Sequence, residues 1–504
     1  MSLSHASADH DDDRELRSFG YEPQLNRSMG LFSSLSISIS CMCITAGIFT
    51  VYAYSLGTVG PAFIWTWPIV AIGQIVVALV LAELAGRMPL SGYAFQWTSR
   101  LVNSHYGWFT GWAGLMAFTP GFTGLNLGLA PILLNRLGLG MNAEGQIDGG
   151  AIAVTTIALT LSQLLINLAG VRIASRINNI AAYTAELGLS VVLTVILLVV
   201  GFVTNPVQGF GFLTTSNVTD GGFLTAFLLS GLLGIWVLTG FEGAADLAEE
   251  TQGARRNVPK AVVTSLVLAV VIGFFMLIAL TINIRDLGAT TSASVPIANV
   301  LEGALGSTGA IIFEAVAMVA LFAGGLANMA ASSRLIFSLS RDRMLPASPT
   351  LATVSRTTGS PSGALLVAAG LSIALVIIGS TIAAQAMSLI VGMASVGYYA
   401  VYALTILGAI LAARRGALSG RSSFDLGSWA GPIRVVAFVW SLAVIAVLTV
   451  PEANQQTALM AAGFFVIAAV WYVAVLRGRL ARGEAGVPGA ADTPQPAAVV
   501  EPAV

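Results

Sequence analysis

The sequence predicts an all-α integral membrane protein with twelve transmembrane helices, and three observations predict this fold class. Charged residues make up 9% of the 504 residues and hydrophobic residues 56%, whereas a soluble chain has about 25% charged residues. The mean hydropathy is +0.85. Uncharged apolar runs of roughly 18 residues, enough to cross a bilayer, recur between Leu31 and Arg477. A soluble core of this size would need a charged surface, which this composition cannot supply.

Composition and motif content exclude several classes of protein. The net charge of −1 leaves no basic surface for nucleic acid. The three histidines lie outside the predicted helices, so we expect no metal site, and we expect no cofactor. The chain contains no HExxH motif, no Gly-x-Ser-x-Gly elbow and no Gly-Lys-Ser/Thr phosphate-binding loop. We therefore expect neither an enzyme nor an ATPase.

The predicted helices occupy residues 31–476, between a cytoplasmic N-terminal segment, residues 1–30, and a tail, residues 477–504. The connections are short, so no soluble domain interrupts the bundle. The tail is rich in Ala, Pro and Gly, and we expect it to be disordered. The twelve predicted helices are Leu31–Leu56, Pro61–Ala85, Trp108–Leu134, Ala151–Leu168, Ile180–Val203, Phe223–Ala248, Pro259–Ile282, Gly309–Phe337, Ser362–Thr381, Ala386–Ala413, Pro432–Val450 and Thr457–Leu476.

The distribution of basic residues predicts the orientation in the membrane. With the N-terminus in the cytoplasm, all 23 Lys and Arg residues except Arg136 and Arg285 lie in inner segments. A wrong number of helices would destroy this asymmetry. Residues 1–30 are polar and locally acidic, unlike a cleavable signal peptide, so the first helix would act as the insertion signal. We expect a multi-pass protein of the inner or plasma membrane with both termini in the cytoplasm.

Two predicted helices contain matched motifs that predict interruptions. The first helix contains Ile44–Thr50 and the sixth contains Val237–Gly243, and both motifs are small, Gly-containing and flanked by Thr. An unwound turn frees backbone groups inside the membrane, which is costly unless they line a cavity or bind a ligand. The start of a half-helix attracts a carboxylate, and free carbonyls attract an ammonium. The motifs therefore indicate a site for a zwitterion or amine; the alternative is that the glycines serve close helix packing.

Three acidic residues lie away from the ends of the predicted helices, where a carboxylate is costly and needs a reason. Glu242 lies in the motif of the sixth helix and is the best candidate for proton coupling or contact with an amine. Glu186 in the fifth helix is either a proton site or a structural partner of a nearby polar group. For Glu314 in the eighth helix we favour a structural or exposed role.

Five further residues lie in or next to the motif of the sixth helix. Asp246, Glu249 and Glu250 follow it toward the cytoplasm. We expect these acids to pair with arginines of the inner loops rather than to contact a substrate. The aromatic residues Trp236 and Phe241 would either cover a bound ligand as gates or pack against lipid and the core.

Five segments, in order along the chain, resemble the amino acid–polyamine–organocation superfamily. The resemblance runs from Phe19 to Arg477 and is closest to the amino acid/choline transporter branch, which includes GABA and choline permeases. The most specific segment, Gly240–Val263, resembles the pattern Gly-Phe-Glu/Asp…Glu-Glu-Thr…Arg…Pro-Lys. The other segments are Phe19–Ser40, Ala82–Trp97, Gly170–Ile180 and Ser333–Pro346.

The resemblance implies the leucine-transporter fold, a 5+5 inverted repeat followed by two helices, with discontinuous first and sixth helices and transport by alternating access. The repeats would cover residues 31–204 and 222–413, and the last two helices residues 432–476. The resemblance places the substrate carboxylate against Thr45, Ala46 and Gly47. It places the amine against carbonyls at Trp236 and Thr239, with Gly240, Phe241 and Glu242 close by.

One departure from the family concerns ion coupling. Some relatives carry a lysine early in the fifth helix at the position of a sodium ion, whereas the single lysine of this chain, Lys260, lies in a loop. Glu186 stands near the corresponding position. Coupling then falls to a proton on Glu242 or Glu186, which we favour, or to a cation such as sodium near Ser332 and Ser333.

The sequence thus predicts a permease, a secondary active transporter that imports an amino acid or related amine, with proton symport favoured. The alternatives are a sensor that binds the same ligands without transport and an amine or polyamine exchanger. A channel is disfavoured because no repeated filter motif or ring of charges is present. Amino acids, GABA, choline and polyamines all remain open as substrates, since they share the ammonium or carboxylate that the motifs would bind.

Overall fold

The structure, a computed structural model, describes residues 13–490 except residues 15, 24, 26, 143–146, 205, 220–221, 294, 383–385 and 419–421. Within these ranges the secondary structure is helical, and β-pairing is limited to two isolated bridges. Eleven of the described helices are long and apolar enough to cross a membrane. The prediction of an all-α, multi-pass membrane protein is confirmed.

The bundle is built from helices α1–α15, joined by short turns. They are α1 (Leu31–Met42), α2 (Ile44–Val59), α3 (Thr66–Arg87), α4 (Tyr93–Leu101), α5 (Ser104–Leu137), α6 (Gly149–Ala169), α7 (Val171–Thr204), α8 (Phe223–Val237), α9 (Gly243–Asp246), α10 (Ala254–Ile282), α11 (Pro296–Arg341), α12 (Ser362–Ile382), α13 (Ala386–Arg414), α14 (Ala430–Thr449) and α15 (Glu452–Ala481). Short helical turns lie at Pro61–Trp65, Phe210–Thr214, Ala248–Glu250, Leu287–Ser292, Ser348–Leu351 and Gly427–Trp429.

The sixth and the eighth are two of the predicted helices that differ from the structure. The sixth predicted helix, Phe223–Ala248, is divided, because α8 ends at Val237 and α9 covers only Gly243–Asp246. Helix α11 begins well before its predicted start at Gly309, and it passes through Gly306, whose φ of 71° is not helical. The predicted eighth helix is therefore the part of α11 that follows this kink.

Helices α1, α2 and α5 form the centre of the bundle, and α14 and α15 form its edge. In the most apolar stretch of α5, 89% of residues are buried, against 17% in α15. The exposed side chains of the edge helices include Val439, Val466 and Ile467. A surface of large aliphatic side chains fits hydrocarbon rather than water as the surrounding solvent.

The first part of the C-terminal tail is ordered, which corrects the prediction of disorder from residue 477. Backbone N–H groups of Gly486 and Val487 donate to Asp342 O at 3.1 Å and to Ser104 Oγ at 3.3 Å, and Val487 is fully buried. Burial of the apolar Val487 side chain accompanies these backbone contacts, and the Ala, Pro and Gly content of the tail did not reveal it. Residues 491–504 of the predicted tail lie outside the described residues.

We predict that Gly397→Ala destabilises the protein, because α13 and α5 touch through their backbones there. A Cβ at Gly397 would lie 2.5 Å from Ala117 N and 2.6 Å from Met116 C, and backbone atoms cannot move aside as a side chain can. We expect a loss of about 1–3 kcal/mol or more, as in other overpacked cores. Thermal unfolding of the purified protein, followed by tryptophan fluorescence, measures it.

The matched control is Gly370→Ala on α12, where a new Cβ has no atom within 4 Å. This variant should unfold at the wild-type temperature. Equal unfolding temperatures for the two variants would contradict the described contact between α13 and α5.

Candidate functional site

Helices α1 and α2 are separated by Cys43, which interrupts the first membrane-spanning segment. Cys43 has φ 49° and ψ 65°, a left-handed conformation that residues other than glycine rarely adopt. Its side chain is buried, and its thiol donates to Ala320 O at 3.1 Å. The motif Ile44–Thr50, predicted to be the interruption, instead forms the first turns of α2. The N–H groups of Thr45 and Ala46 are therefore among those that the start of a helix leaves without carbonyl partners, whereas the N–H of Gly47 donates to Cys43 O at 2.7 Å.

A second interruption lies between α8 and α9. Gly240 has φ 87°, and a Cβ there would lie 2.9 Å from the carbonyl carbon and oxygen of Cys41, so a side chain does not fit. The buried amide of Gln74 donates to Leu238 O at 2.7 Å and satisfies a carbonyl that the interruption frees. The stretch contains four of the predicted site residues: Thr239, Gly240, Phe241 and Glu242.

The two interruptions lie against each other at the centre of the bundle. A Cβ at Gly47 would lie 2.7 Å from Cγ2 of Val237, the last residue of α8. The hydroxyl of Ser38 on α1 accepts the backbone N–H of Ala244 at 3.1 Å and so caps the start of α9. Gly47 therefore does serve close helix packing, which was the alternative interpretation of the motif. This packing brings the two interruptions into contact.

Glu186 reaches the start of α2 from helix α7. It lies in a π-helical segment, Ala182–Leu189, a rare conformation that is frequent at functional sites. Glu186 Oε2 accepts the backbone N–H of Thr45 at 3.1 Å and the Thr45 hydroxyl at 2.8 Å, and that hydroxyl also lies 2.7 Å from Ser190 Oγ. Ala46 also lies beside this carboxylate. Glu186, the acid of the fifth predicted helix, is therefore hydrogen-bonded to Thr45, one of the residues predicted to bind the substrate carboxylate.

Glu242 is fully buried beside three aromatic residues. The hydroxyl of Tyr402 donates to both carboxylate oxygens at 3.0 Å, and that of Tyr93 donates at 3.4 Å. The Phe241 ring stacks on Tyr402 with the ring centroids 5.6 Å apart. Sequence analysis missed Tyr402 and Tyr93. A signal was present in the tyrosine-rich segment of α13, which includes Tyr398, but nothing in the sequence indicated that it faces Glu242.

The three acids that follow Glu242 do not behave alike. Glu249 pairs with Arg341 at 3.2 Å and Glu250 pairs with Arg334 at 3.0 Å, as predicted. Asp246 contradicts the prediction: it is fully buried, and neither carboxylate oxygen has a hydrogen-bond partner in the described part of the chain. The reason is its place on α9, where its charged neighbour is Glu242 rather than an arginine.

Trp236 and Thr239 lie at the end of α8. The Trp236 indole packs over two glycines of α5, with ring atoms 3.9 Å from a Cβ at Gly121 and 3.6 Å from one at Gly124. Thr239 donates to Trp236 O through its hydroxyl at 2.7 Å and its N–H at 3.2 Å. The Trp236 carbonyl, predicted to face an amine, is therefore already hydrogen-bonded.

Ser332 and Ser333, the predicted cation site, lie on α11 beyond the residues that contact the interruption. Asn328, one turn earlier, donates to Cys41 O at 3.0 Å. Ser332 pairs with Thr119 at 3.2 Å, and Ser333 Oγ accepts from the Arg334 guanidinium at 3.0 Å. A positive charge already stands beside Ser333, which disfavours a second cation there.

Glu314 is bonded to a basic residue at the C-terminal end of α5. Arg136 Nη2 donates to Glu314 Oε1 at 2.8 Å, and Arg136 also lies 3.6 Å from Glu302. Glu314 is 1% exposed, so its role in this structure is the structural one that we favoured.

A polar network that includes the N-terminal segment lies at the end of the bundle where α11 ends. The Tyr21 hydroxyl donates to Asp342 Oδ1 at 2.9 Å, and Gln96 donates to the other oxygen at 2.8 Å. The Arg341 guanidinium lies 3.8 Å from the centre of the Tyr21 ring, a cation–π contact. Burial raises the pKa of Asp342 to about 6, although the charge of Arg341 acts in the opposite direction.

Facing helix interruptions in a multi-pass bundle, lined by buried acids, define the class of membrane transport proteins. Comparison with known proteins identifies the family. A family model described as amino acid permease matches residues 29–475, and the chain belongs to this family of the amino acid–polyamine–organocation superfamily. Members of the family are transporters of amino acids and not enzymes, so this chain is a multi-pass amino acid permease.

Named relatives support this assignment. The amino-acid permease BAT1 of Arabidopsis thaliana is 26% identical over 471 residues, which cover 88% of this chain and 89% of that protein. Two uncharacterized amino-acid permeases of Schizosaccharomyces pombe are 28% and 27% identical and cover 72% and 92% of this chain. The matches cover 66% and 84% of those two proteins.

We predict that Gly240→Ala damages the protein far more than Gly47→Ala. At Gly240 the new Cβ meets backbone atoms of Cys41 and must adopt a left-handed φ, which alone costs about 1–2 kcal/mol. At Gly47 it meets a methyl group of Val237. Thermal unfolding of the purified variants gives the two losses.

The second substitution Val237→Ala provides the control. It should restore part of the stability lost in Gly47→Ala, because it removes the methyl group in question, and it should not rescue Gly240→Ala. Rescue of both variants, or of neither, would contradict the described contacts between the two interruptions.

Proposed function

We propose that this permease is a secondary active transporter that imports an amino acid or a related amine by alternating access, in symport with protons. The observation that carries the proposal is the contact between the two interruptions, with Glu186 and Glu242 at the freed backbone. We further propose that α8 and α9 together cross the membrane as a twelfth segment, and that the fold is the 5+5 inverted repeat plus two helices. The protein would lie in the plasma or inner membrane, with both termini in the cytoplasm.

Charge at the site supports a cationic group in the ligand. Residues 31–59 and 315–333, which supply α1, α2 and the inner part of α11, contain no charged residue. Three buried carboxylates, Glu186, Glu242 and Asp246, surround the interruptions. Buried anions need partners or protons, so an ammonium group and protons are the counter-charges that this centre would accept.

The proposed orientation of the substrate follows from the helix ends. Its carboxylate would approach Thr45, Ala46 and Gly47, where the start of α2 carries a partial positive charge, and the N–H groups of Thr45 and Ala46 would donate to it. Its ammonium would lie toward Thr239 and the Glu242 carboxylate. The aromatic rings of Phe241 and Trp236 would enclose the remainder of the molecule.

The ion pairs on the cytoplasmic side support alternating access, because they resemble a closed inner gate. Glu250–Arg334 is an almost fully buried pair, with exposures of 1% and 3%. Between α1, α7 and α11 lies a cavity of about 20 Å³, which is room for a single water molecule. Release of substrate to the cytoplasm would require these contacts to separate.

We predict gradient-driven uptake that depends on Glu242. Purified protein in proteoliposomes would be offered labelled amino acids, GABA, choline and putrescine, with and without an inward proton gradient. Wild-type uptake should be saturable and stimulated by the gradient. Glu242→Gln should lose the stimulation, because the amide keeps the size of the side chain but cannot exchange a proton.

The control is Glu452→Gln, which removes an exposed carboxylate and should retain stimulated uptake. Gradient-independent uptake by the wild type would replace proton symport with exchange or sodium coupling. Binding of these ligands without uptake would replace the transporter with a sensor.

We predict that Arg334→Ala opens the inner side of the site. Removing one member of a buried ion pair costs about 3–5 kcal/mol, so the closed arrangement should be much less populated. The chain's two cysteines, Cys41 and Cys43, are buried and free and report on this opening. Alkylation by a membrane-permeant maleimide should become about tenfold faster or more, since each 1.4 kcal/mol corresponds to about a factor of ten.

The control variant is Arg482→Ala, which breaks a pair with Glu484 whose members are 61% and 50% exposed. It should leave the alkylation rate unchanged, because exposed pairs contribute little. Equal rates for Arg334→Ala and the wild type would contradict the gate.

A further inference from the structure

The start of α2 is already occupied by a carboxylate of the chain itself. Glu186 Oε2 accepts both the N–H and the hydroxyl of Thr45, at 3.1 and 2.8 Å. Glu186 is 1% exposed, and its other oxygen, Oε1, has no hydrogen-bond partner among the described residues. A group of the same chemistry as a substrate carboxylate therefore fills the place where a substrate carboxylate would be attracted.

We propose that the substrate carboxylate and the Glu186 carboxylate exchange at Thr45, and that one proton is taken up by Glu186 for each substrate carboxylate bound. This inference rests on the proposed function and identifies the residue through which a carboxylate-bearing substrate is coupled to protons. Glu186 acts here as a competitor of the substrate. Glu242 remains on the side of the ammonium.

Once Glu186 is displaced from Thr45, the described residues around it offer no positively charged side chain, so a proton is the counter-charge that remains. The elements that pack on its π-helical segment are α1, α2 and α11, and residues 31–59 and 315–333 of these elements contain no charged side chain. The titratable group in contact with Glu186 is the Cys43 thiol. On α7 itself, Tyr183 donates to Phe32 O at 2.6 Å, and Arg176 lies about three turns away toward the cytoplasm.

Two charged carboxylates cannot share this place. Both would be buried against the same N–H groups without a cation between them, and their repulsion in a medium of low dielectric is large. One of the two must therefore be neutral when both are inside. The substrate carboxylate is the stronger acid in solution, because an α-ammonium group lies next to it in an ordinary amino acid, so the proton goes to Glu186.

The exchange balances in protons and charge. A proton from water bonds to a carboxylate oxygen of Glu186, and the hydrogen bonds donated by Thr45 pass from Glu186 Oε2 to an oxygen of the substrate. No covalent bond of the substrate changes. The site starts with one charged carboxylate at Thr45 and ends with one, so the charge at the start of α2 is unchanged.

The π-helical segment supplies a means of movement. Its hydrogen bonds run from residue i to i+5 rather than i+4, and Ser190 Oγ donates to Ala185 O at 2.6 Å at its end. Conversion of Ala182–Leu189 to an ordinary α-helix would rotate Glu186 about the axis of α7 and withdraw it from Thr45.

The inference separates ligands by a single chemical group. An amine without a carboxylate does not displace Glu186 and takes up no proton through it. L-Lysine with cadaverine, and GABA with 1-propylamine, form pairs that differ only by the carboxylate. Subtracting the number of protons taken up with the amine from the number taken up with the amino acid removes any proton exchange caused by the ammonium group.

The test measures protons taken up on binding. Purified full-length protein in weakly buffered detergent solution receives saturating ligand, and a pH-indicator dye counts the protons. We expect about one proton per bound amino acid and none with its decarboxylated partner. By linkage, the affinity of the wild type for the amino acid should rise about tenfold for each pH unit lowered in the range where Glu186 is ionised in the free protein.

Two variants identify the residue. Glu186→Gln can still accept the N–H of Thr45 but cannot take a proton, so its amino acid binding should involve no proton and should not depend on pH. Thr194→Val removes a buried hydroxyl from the same helix, 4% exposed, and should leave the count at about one. If Glu186→Gln does not fold, the wild-type counts for the ligand pairs still decide.

The results that would overturn this inference differ from those that would overturn the proposed function. Binding of an amino acid by the wild type without net proton uptake relative to its amine overturns this inference and leaves the proposed transporter in place. The same holds if Glu186→Gln still takes up one proton per amino acid. If no member of the panel binds or is taken up, the proposed function itself fails, and the exchange fails with it.

Discussion

Backbone groups that are freed inside a membrane bundle must find hydrogen-bond partners, and the centre of this protein is organised by that constraint. The interruption at Cys43 and the one at Leu238–Glu242 free N–H and carbonyl groups. The hydrocarbon interior of a membrane supplies no water to bond them. Buried side chains of three other helices, Gln74, Asn328 and Glu186, meet these groups. The position of each helix around the site follows from the need to deliver these side chains.

The same constraint underlies the proposed binding and release of a ligand. A freed backbone group can exchange its hydrogen bond to a side chain for one to a ligand. A backbone group inside a continuous helix cannot do so without unwinding the helix. A ligand that carries a carboxylate offers Thr45 what Glu186 offers in the closed structure. In the proposed orientation, the ion pairs of Glu249 and Glu250 lie on the cytoplasmic side of the site. They would hold it shut and so link its occupancy to access from one side.

Sequence analysis predicted the fold class, the family and the second interruption, because hydropathy and a Gly-Phe-Glu motif are local signals. It misplaced the first interruption, since a left-handed cysteine has no propensity that reveals it. It predicted ion pairs for Glu249 and Glu250 from charge alone but was wrong for Asp246, whose direction depends on how α9 packs. The contact of Tyr402 with Glu242 joins residues that are far apart in the chain, and one sequence carries no signal for such a contact.

The most direct test of the account is an experimental structure of the protein with a transported amino acid bound. We expect the ligand to lie between the two interruptions, with its carboxylate within hydrogen-bond distance of the N–H groups of Thr45 and Ala46 and its ammonium near Glu242. We also expect Glu186 to have left Thr45. A ligand bound away from the interruptions, or a ligand between them with Glu186 still bonded to Thr45, would contradict the account.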